Sequence, residues 1–507
     1  MNPNSLVSFC RRPHSCGDTT NAAQADSSRI SRLALGGGLV AAMLLAGCAL
    51  PAVGPDYHRP ETPMAANYRA TSNQRLTVKG RVEREWWRDF GDQELDRLIE
   101  EALKQNQDLK VALARVEQAR ALTGEARASY LPAVGATGMI SREQTSETTT
   151  NRFPNSLTTT YRLPLTLSWE LDLFGRVRRL NESAQANLAA TRDLADAMRL
   201  AVAAETASTY FALTATDDEA RIVANMLKLQ TEMLSLVEAR RDAGGASDLA
   251  VEQARIAVST AEADVAAVAD RRTALKDGLA VLLGRPAPAF EVDPRTPVNV
   301  SLPPIPVGLP SELLLRRPDL AAAENHLRAA NAQIGVAKAA FFPAISLTGS
   351  AGFASAQLGD LLLHDSRAWA LTPSIYLPLF QGGRIRANYQ RSQAAYEQAL
   401  AGYRQDVLTA LGEVQDALSA SQQVSEQSDA IRRAVASARR VRKLAEERYL
   451  AGGTSYLQVI EAQRTVLTVE RSAAALAGQR LITRVALIRA LGGGWKNPSA
   501  KVASLQP

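Results

Sequence analysis

Cys48 is the first residue whose chemistry stands out. It closes an apolar run, Leu33 to Gly47, that ends Leu45-Ala46-Gly47 and is preceded by Arg29 and Arg32. A second candidate lies near the other end of the chain. Leu457 and Glu461 are four residues apart, so on a helix they share one face and set a carboxylate beside an apolar side chain. Gly244-Gly245 and Gly452-Gly453 can supply the positive φ that ends a helix. Ser247 and Ser455 follow them where the N-cap of a returning helix is wanted. Catalytic chemistry is harder to find. His58, His326 and His364 lie far apart with no His-x-x-x-His spacing, and each reads as a surface residue. There is no phosphate-cradling glycine loop ending in Lys-Ser/Thr and no Gly-x-Ser-x-Gly elbow. Gly492-Gly493-Gly494 follows a helical pattern, not a strand, and reads as a stop. No enzymatic activity, metal or cofactor is expected.

Composition narrows the frame. Hydrophobic residues make up 46% of the 507, enough for a core, but aromatics only 5%, which suits long helices better than an aromatic-filled β-sandwich. The net charge of +6 comes from 58 basic and 52 acidic residues with the signs interspersed, so no nucleic-acid surface is expected. Three Cys are too few for a disulfide scaffold.

The amino-terminal pattern is that of an export signal: basic residues, a short apolar run, then small residues before a cut. The run is too short for a spanning helix, which needs about 20 residues. Its Leu-Ala-Gly-Cys ending is similar to a bacterial lipobox. That resemblance implies removal of residues 1–47 and lipidation of Cys48. Cys10 and Cys16 leave with the signal, so the mature chain is held together by packing and not by disulfides.

The mature chain repeats itself. Asp108-Leu109, Gly124 and Tyr130-Leu131-Pro132-Ala133 recur as Asp319-Leu320, Gly335 and Phe341-Phe342-Pro343-Ala344, at an offset of 211. Leu165-Thr166 and Leu173-Phe174 recur at Leu371-Thr372 and Leu379-Phe380. The Gly-Gly-x-Ser turns recur at an offset of 208. Landmarks in one order at near-constant offset indicate duplication. The parts are an extended segment 48–91, a first repeat 92–284, a Pro-rich connector 285–310, a second repeat 311–491 and a tail 492–507. Each repeat reads as helix, strand pair (133–173 and 344–380) and long helical hairpin (175–284 and 384–491).

Strand and helix periods support this division. From Leu157 to Leu173, Tyr161, Leu163, Leu165, Leu167, Trp169 and Leu171 alternate with Thr, Arg, Ser and Glu, giving one apolar and one polar face. Ile345 to Phe353 and Trp369 to Leu379 alternate likewise. The loops Thr145 to Ser156 and Ala356 to Arg367 read as polar. After Gly175 no proline or glycine interrupts the chain as far as Asp242, which makes a helix of about 100 Å. A globule of the mature length has a radius of gyration of only about 23 Å, so this helix cannot be enclosed in one. Four amphipathic strands cannot close a barrel, because membrane barrels begin at eight, and open edges are forbidden in lipid. Several chains must therefore share one barrel.

These residues place the chain beside a known family. The lipobox, Val53-Gly54-Pro55-Asp56-Tyr57, Trp86-Trp87 with Phe90-Gly91-Asp92, Leu173-Phe174-Gly175, Arg448-Tyr449, Ala462-Gln463-Arg464 and Leu491-Gly492-Gly493-Gly494-Trp495 resemble the TolC/OprM-type outer membrane factors of tripartite efflux systems, in the lipoprotein (NodT-like) branch. The resemblance covers essentially all of the mature chain. It implies a mainly α fold with membrane β: a homotrimer with a 12-stranded outer-membrane β-barrel continued by a 12-helix periplasmic α-barrel. It also implies a passive conduit for small molecules, working with a periplasmic adaptor and an inner-membrane pump of the RND type, with no cofactor beyond the lipid on Cys48.

By the same resemblance, Leu457 and Glu461 match the constriction rings and Tyr449 a gating tyrosine. The turns at Gly244, Gly245, Ser247, Gly452, Gly453 and Ser455 match adaptor-docking tips. Ala250, Gln458 and Thr454 depart from TolC, where a tyrosine–aspartate lock uses other residues. Two alternatives are a type I protein-secretion channel, against which the lipobox and tail argue, and a lipid-anchored adaptor, which would carry one hairpin and not a duplicated unit.

Overall fold

The computed structural model describes residues 52–62, 68–69, 82–146, 148, 157–295 and 310–496. Cys48 and the signal, residues 296–309 of the connector, the end of the first inter-strand loop and the tail beyond Lys496 lie outside the described residues. The chain divides into two compact units.

One unit is a sheet. Its strands are β1 (Ala133–Ala136), β2 (Met139–Gln144), β3 (Leu157–Leu171), β4 (Ala344–Ser355) and β5 (Arg367–Tyr376), all antiparallel. β1 and β2 both pair with β3 in one unbroken register, from Ala133 opposite Ser168 to Gln144 opposite Leu157. The break between them lies opposite Pro164, which has no N–H to give the ladder. Thr137 N–H still donates to the Pro164 carbonyl at 3.1 Å, so the two segments behave as one interrupted strand.

The sheet's two faces differ. Val134, Leu167 and Leu371 share one face with Leu165, Trp369, Trp169, Leu347, Leu171, Ile345 and Ile375. Thr166, Ser350, Ser168, Thr348 and Thr372 share the other. The apolar face is uncovered: Trp369 is 80% exposed and Ile375 72%.

Both ends of the strand pattern differ from the sequence expectation. Leu173 lies past β3, because Asp172 turns to cap the next helix and accepts the N–H groups of Val177 and Arg178 at 3.0 and 2.8 Å. Leu377 and Leu379 lie past β5, where Pro378 cannot continue a ladder. The loop after β4, expected to be polar, folds into two 3-10 turns and exposes Leu358, Leu362 and Leu363.

The other unit is helical: α1 (Gln93–Gln105), α2 (Gln107–Ala128), α3 (Arg176–Asp242), α4 (Asp248–Leu282), α5 (Leu313–Arg316), α6 (Pro318–Ala339), α7 (Arg384–Leu450) and α8 (Tyr456–Ala490). The first three residues of α3 group with the sheet. α3 and α7 have 67 residues each, and α4 and α8 have 35 each. No described helix is long and apolar enough to cross a membrane.

Helices this long need a place where they are held, and the main core supplies it. A 3-10 turn, Trp86–Phe90, buries both tryptophans and Phe90, with Phe90 5.2 Å from the Phe211 ring of α3. Asp92 caps α1 through the N–H groups of Glu94 and Leu95 and also accepts the Tyr210 hydroxyl at 2.7 Å. Burial pushes that hydroxyl's pKa up, and its hydrogen bond to Asp92 adds to the shift. Lower down, α8 lies against α3 at Gly478, where an added Cβ would fall 2.5 Å from Ala215 Cβ.

Between α3 and α6, Asn325 donates to the buried Asp193 at 2.8 Å. Burial raises the Asp193 carboxyl to about 6, and the Asp196 charge adds to this, against the opposing hydrogen bond and the Arg328 and Arg192 charges.

Two outcomes follow from this packing. Gly478→Val should lower stability by about 1–3 kcal/mol by overpacking the α3–α8 contact, as measured by thermal or denaturant unfolding. The raised Asp193 pKa stabilises the fold while the group is protonated, so stability should fall as pH rises from about 4 through about 6. Asp193→Asn should abolish that slope and raise stability at pH 7.5, as read by melts across pH 4–8.

Candidate functional site

The two hairpin turns meet. At the first, Gly244 takes φ 74°, and the N–H groups of Gly244 and Gly245 close on the carbonyls of Arg241 and Arg240 at 2.9 and 2.7 Å. At the second, Gly452 takes φ 75°, and Gly452 and Gly453 close on Tyr449 and Arg448 at 3.0 and 2.8 Å. Both are Schellman closures, which satisfy carbonyls at the helix end and need the left-handed residue that glycine tolerates.

The chain then returns through Ser247, whose hydroxyl accepts the Ala250 N–H at 3.3 Å. Ser455 has the same extended backbone, but its side chain makes no cap bond. Only its carbonyl accepts, from Gln458 N–H at 3.2 Å, while the Thr454 hydroxyl bonds the Gln458 side chain. The expected symmetry of the two serine caps therefore does not hold.

Behind the turns, Val237, Val251, Ala254, Tyr449, Tyr456 and Val459 form a closed apolar cluster drawn from α3, α4, α7 and α8. Tyr449 is buried there, its ring 5.4 Å from Tyr456. Arg240 of α3 stacks 4.7 Å over the Tyr449 ring and donates to the carbonyls of Tyr449 and Leu450 at 3.2 and 3.0 Å. A cation at the last carbonyls of α7 also complements that helix's dipole. Ala250, where TolC differs, packs against the same cluster.

The Tyr456 hydroxyl is enclosed without a hydrogen-bond partner. Burial, together with Tyr449, pushes its pKa up to about 12. Leu457 and Glu461 point away from this cluster. Both are exposed, Leu457 at 49%, with Thr465 and Thr468 continuing their face of α8. Among the described residues no group of three or more His, Cys, Asp or Glu could hold a metal ion.

Sequence reasoning found the glycine turns and the Leu457–Glu461 face because both are local. It missed Arg240 and Tyr456, whose roles depend on α3 and α7 meeting more than 200 residues apart in sequence.

The pattern of the outer membrane efflux protein family matches residues 98–285 and 309–493. The chain belongs to the outer membrane efflux proteins. Toluene efflux pump outer membrane protein TtgC of Pseudomonas putida is 36% identical over 465 residues, covering 90% of this chain and 94% of its own. Cation efflux system protein CusC of Escherichia coli is 32% identical over 459 residues, covering 90% and 97%. The solved structure of the outer-membrane channel OprN superposes with a TM-score of 0.81 at 34% identity, covering 88% of this chain and 100% of that one.

This outer membrane efflux protein is thus a channel of the TolC/OprM type, located in the outer membrane. Its sheet has the face such a location demands, an apolar surface with half-buried Trp169 and exposed Trp369.

Because the Tyr456 hydroxyl has no partner, Tyr456→Phe should leave stability unchanged or slightly raised. The spectroscopic tyrosine titration of wild type minus variant should show the missing phenol ionising near pH 12. A Tyr456→Phe loss above about 1 kcal/mol in chemical denaturation would mean the hydroxyl is bonded.

Proposed function

We propose that three copies close one 12-stranded barrel in the outer membrane and one periplasmic barrel of 12 helix strands, forming a passive conduit for small molecules. The open edges of the sheet carry this reading. Among the described residues, β5 bonds only β4, and β1 and β2 bond only β3. Unpaired backbone groups in hydrocarbon cost several kcal/mol each, so these edges must find partners on other copies. The apolar rows from Leu171 to Tyr161 span eleven residues, ten rises or about 33 Å of strand, and about 25 Å of height at the tilt usual in such barrels.

Internal duplication accounts for the matched lengths of α3 with α7 and of α4 with α8. The names of the relatives, a toluene efflux pump and a cation efflux system, support small cargo over secreted protein. On this reading the turns at Gly244, Gly245, Ser247, Gly452, Gly453 and Ser455 dock a periplasmic adaptor that joins an inner-membrane pump of the RND type. Leu457 and Glu461 form apolar and acidic rings at the periplasmic end, with Tyr449 packed behind them. Cys48 carries the lipid anchor. No step of this function requires catalysis.

Cross-linking or mass photometry in detergent should give a trimer, and a stable folded monomer would refute the shared barrel. Mass spectrometry should find the mature N-terminus at an acylated Cys48. In planar bilayers, Leu457→Ala should raise resting conductance, and Glu461→Ala should weaken cation preference and block by multivalent cations. Unchanged conductance, selectivity and block in both variants would place the constriction elsewhere.

A further inference from the structure

Between Gly478 and the turns, α8 runs beside the first hairpin with few polar contacts. Among the described residues, Arg471 makes both ion pairs that join the two hairpins there: Nε to Glu219 of α3 at 2.8 Å and Nη1 to Asp264 of α4 at 3.1 Å. Arg271 of α4 reaches the same Glu219 at 2.9 Å. The shared carboxylate is largely covered, its side chain 13% exposed, so these pairs are less screened than surface ones.

A guanidinium meets two carboxylates with donors fixed in one plane, whereas an ammonium is a rotatable point charge that holds direction less well. Arg471 therefore ties α8 to both helices of the first hairpin at one height. That height is about 10 Å below the Gly478 contact and about 21 Å above Leu457, at 1.5 Å per residue. Below it, the hydrogen bonds seen between the hairpins among the described residues are those of Arg240 to the end of α7, and the cluster behind the turns is apolar. Apolar contact is non-directional and tolerates sliding, whereas a paired guanidinium fixes register.

We propose that Arg471 is a positioning residue that holds the second hairpin in register on the first and thereby sets how far the Leu457–Glu461 face can move. The proposal rests on the reading of that face as the constriction. Arg471 acts through the position of α8 and touches no cargo.

The test places spin labels on the exposed positions Glu262→Cys of α4 and Thr465→Cys of α8 in the full-length, membrane-reconstituted protein. Double electron–electron resonance then measures the distance between them. Arg471→Ala should broaden and lengthen the distribution, and Arg471→Lys should recover part of the wild-type peak. Asp264→Asn, which removes one arm only, should fall between. Resting conductance in planar bilayers should rise several-fold in Arg471→Ala.

An unchanged label distance in both Arg471→Ala and Asp264→Asn overturns the proposal, whatever the conductance. If Arg471→Ala does not assemble, Asp264→Asn alone decides by the same criterion. A broadened distance in a protein whose wild type conducts nothing would uphold the register role and sink the channel reading instead. A conducting wild type with unchanged distances would do the reverse.

Discussion

An amphipathic sheet with open edges is the constraint on which the rest depends. The apolar face of β1 to β5 belongs in lipid, and lipid offers no water to the backbone groups left along the outer strands. Four strands cannot curl enough to pair their own edges. On the proposed reading, a chain of this design is completed by further copies, and its helical part must let them stand side by side. Exposed leucines and valines on the long helices, such as Leu408, Val441 and Leu444 on α7, suit helices that expect neighbours.

The helical unit meets this need by concentrating its core. The two tryptophans, Phe90 and Phe211 anchor the middle of α3, where Asp92 serves helix cap and tyrosine at once. Toward the turns the packing passes to smaller groups: the Gly478 approach, buried Val223, Val268 and Val466, the Arg471 and Arg240 guanidinium contacts, and the cluster around Tyr449 and Tyr456. The large aromatic side chains are concentrated in the middle of the helices, and the residues packed nearer the turns are mostly small or aliphatic.

Much of this was legible in the sequence, and the reasons are local. The absence of proline and glycine across α3 marked its extent, and Gly-Gly-x-Ser marked the reversals. Period-two patterning marked β3 and β4. What escaped reading depended on partners. Pro164 gave no warning that it would interrupt the strand opposite. Asp172 turned from strand alternation to helix capping because Val177 and Arg178 came within reach of it. Ser247 and Ser455 share a motif and a backbone, yet only one caps. Arg240, Tyr456 and Arg471 looked like any solvated arginine or helical tyrosine until segments some 200 residues away were laid beside them.

The equal lengths of α3 and α7 carry a consequence for how such a chain can change over time. Both turns end level because each descending helix has 67 residues and each returning helix 35. Removing one residue from a single helix would retract its turn by about 1.5 Å and rotate every side chain below the deletion by about 100°. Arg471 would then face away from Glu219, and the apolar cluster would present its polar side. Substitutions can accumulate one at a time along these helices. By this geometry an insertion or deletion in one helix keeps the turns level only when it is matched in the others, so the hairpins act as a ruler that permits changes of residue but not of count in a single helix.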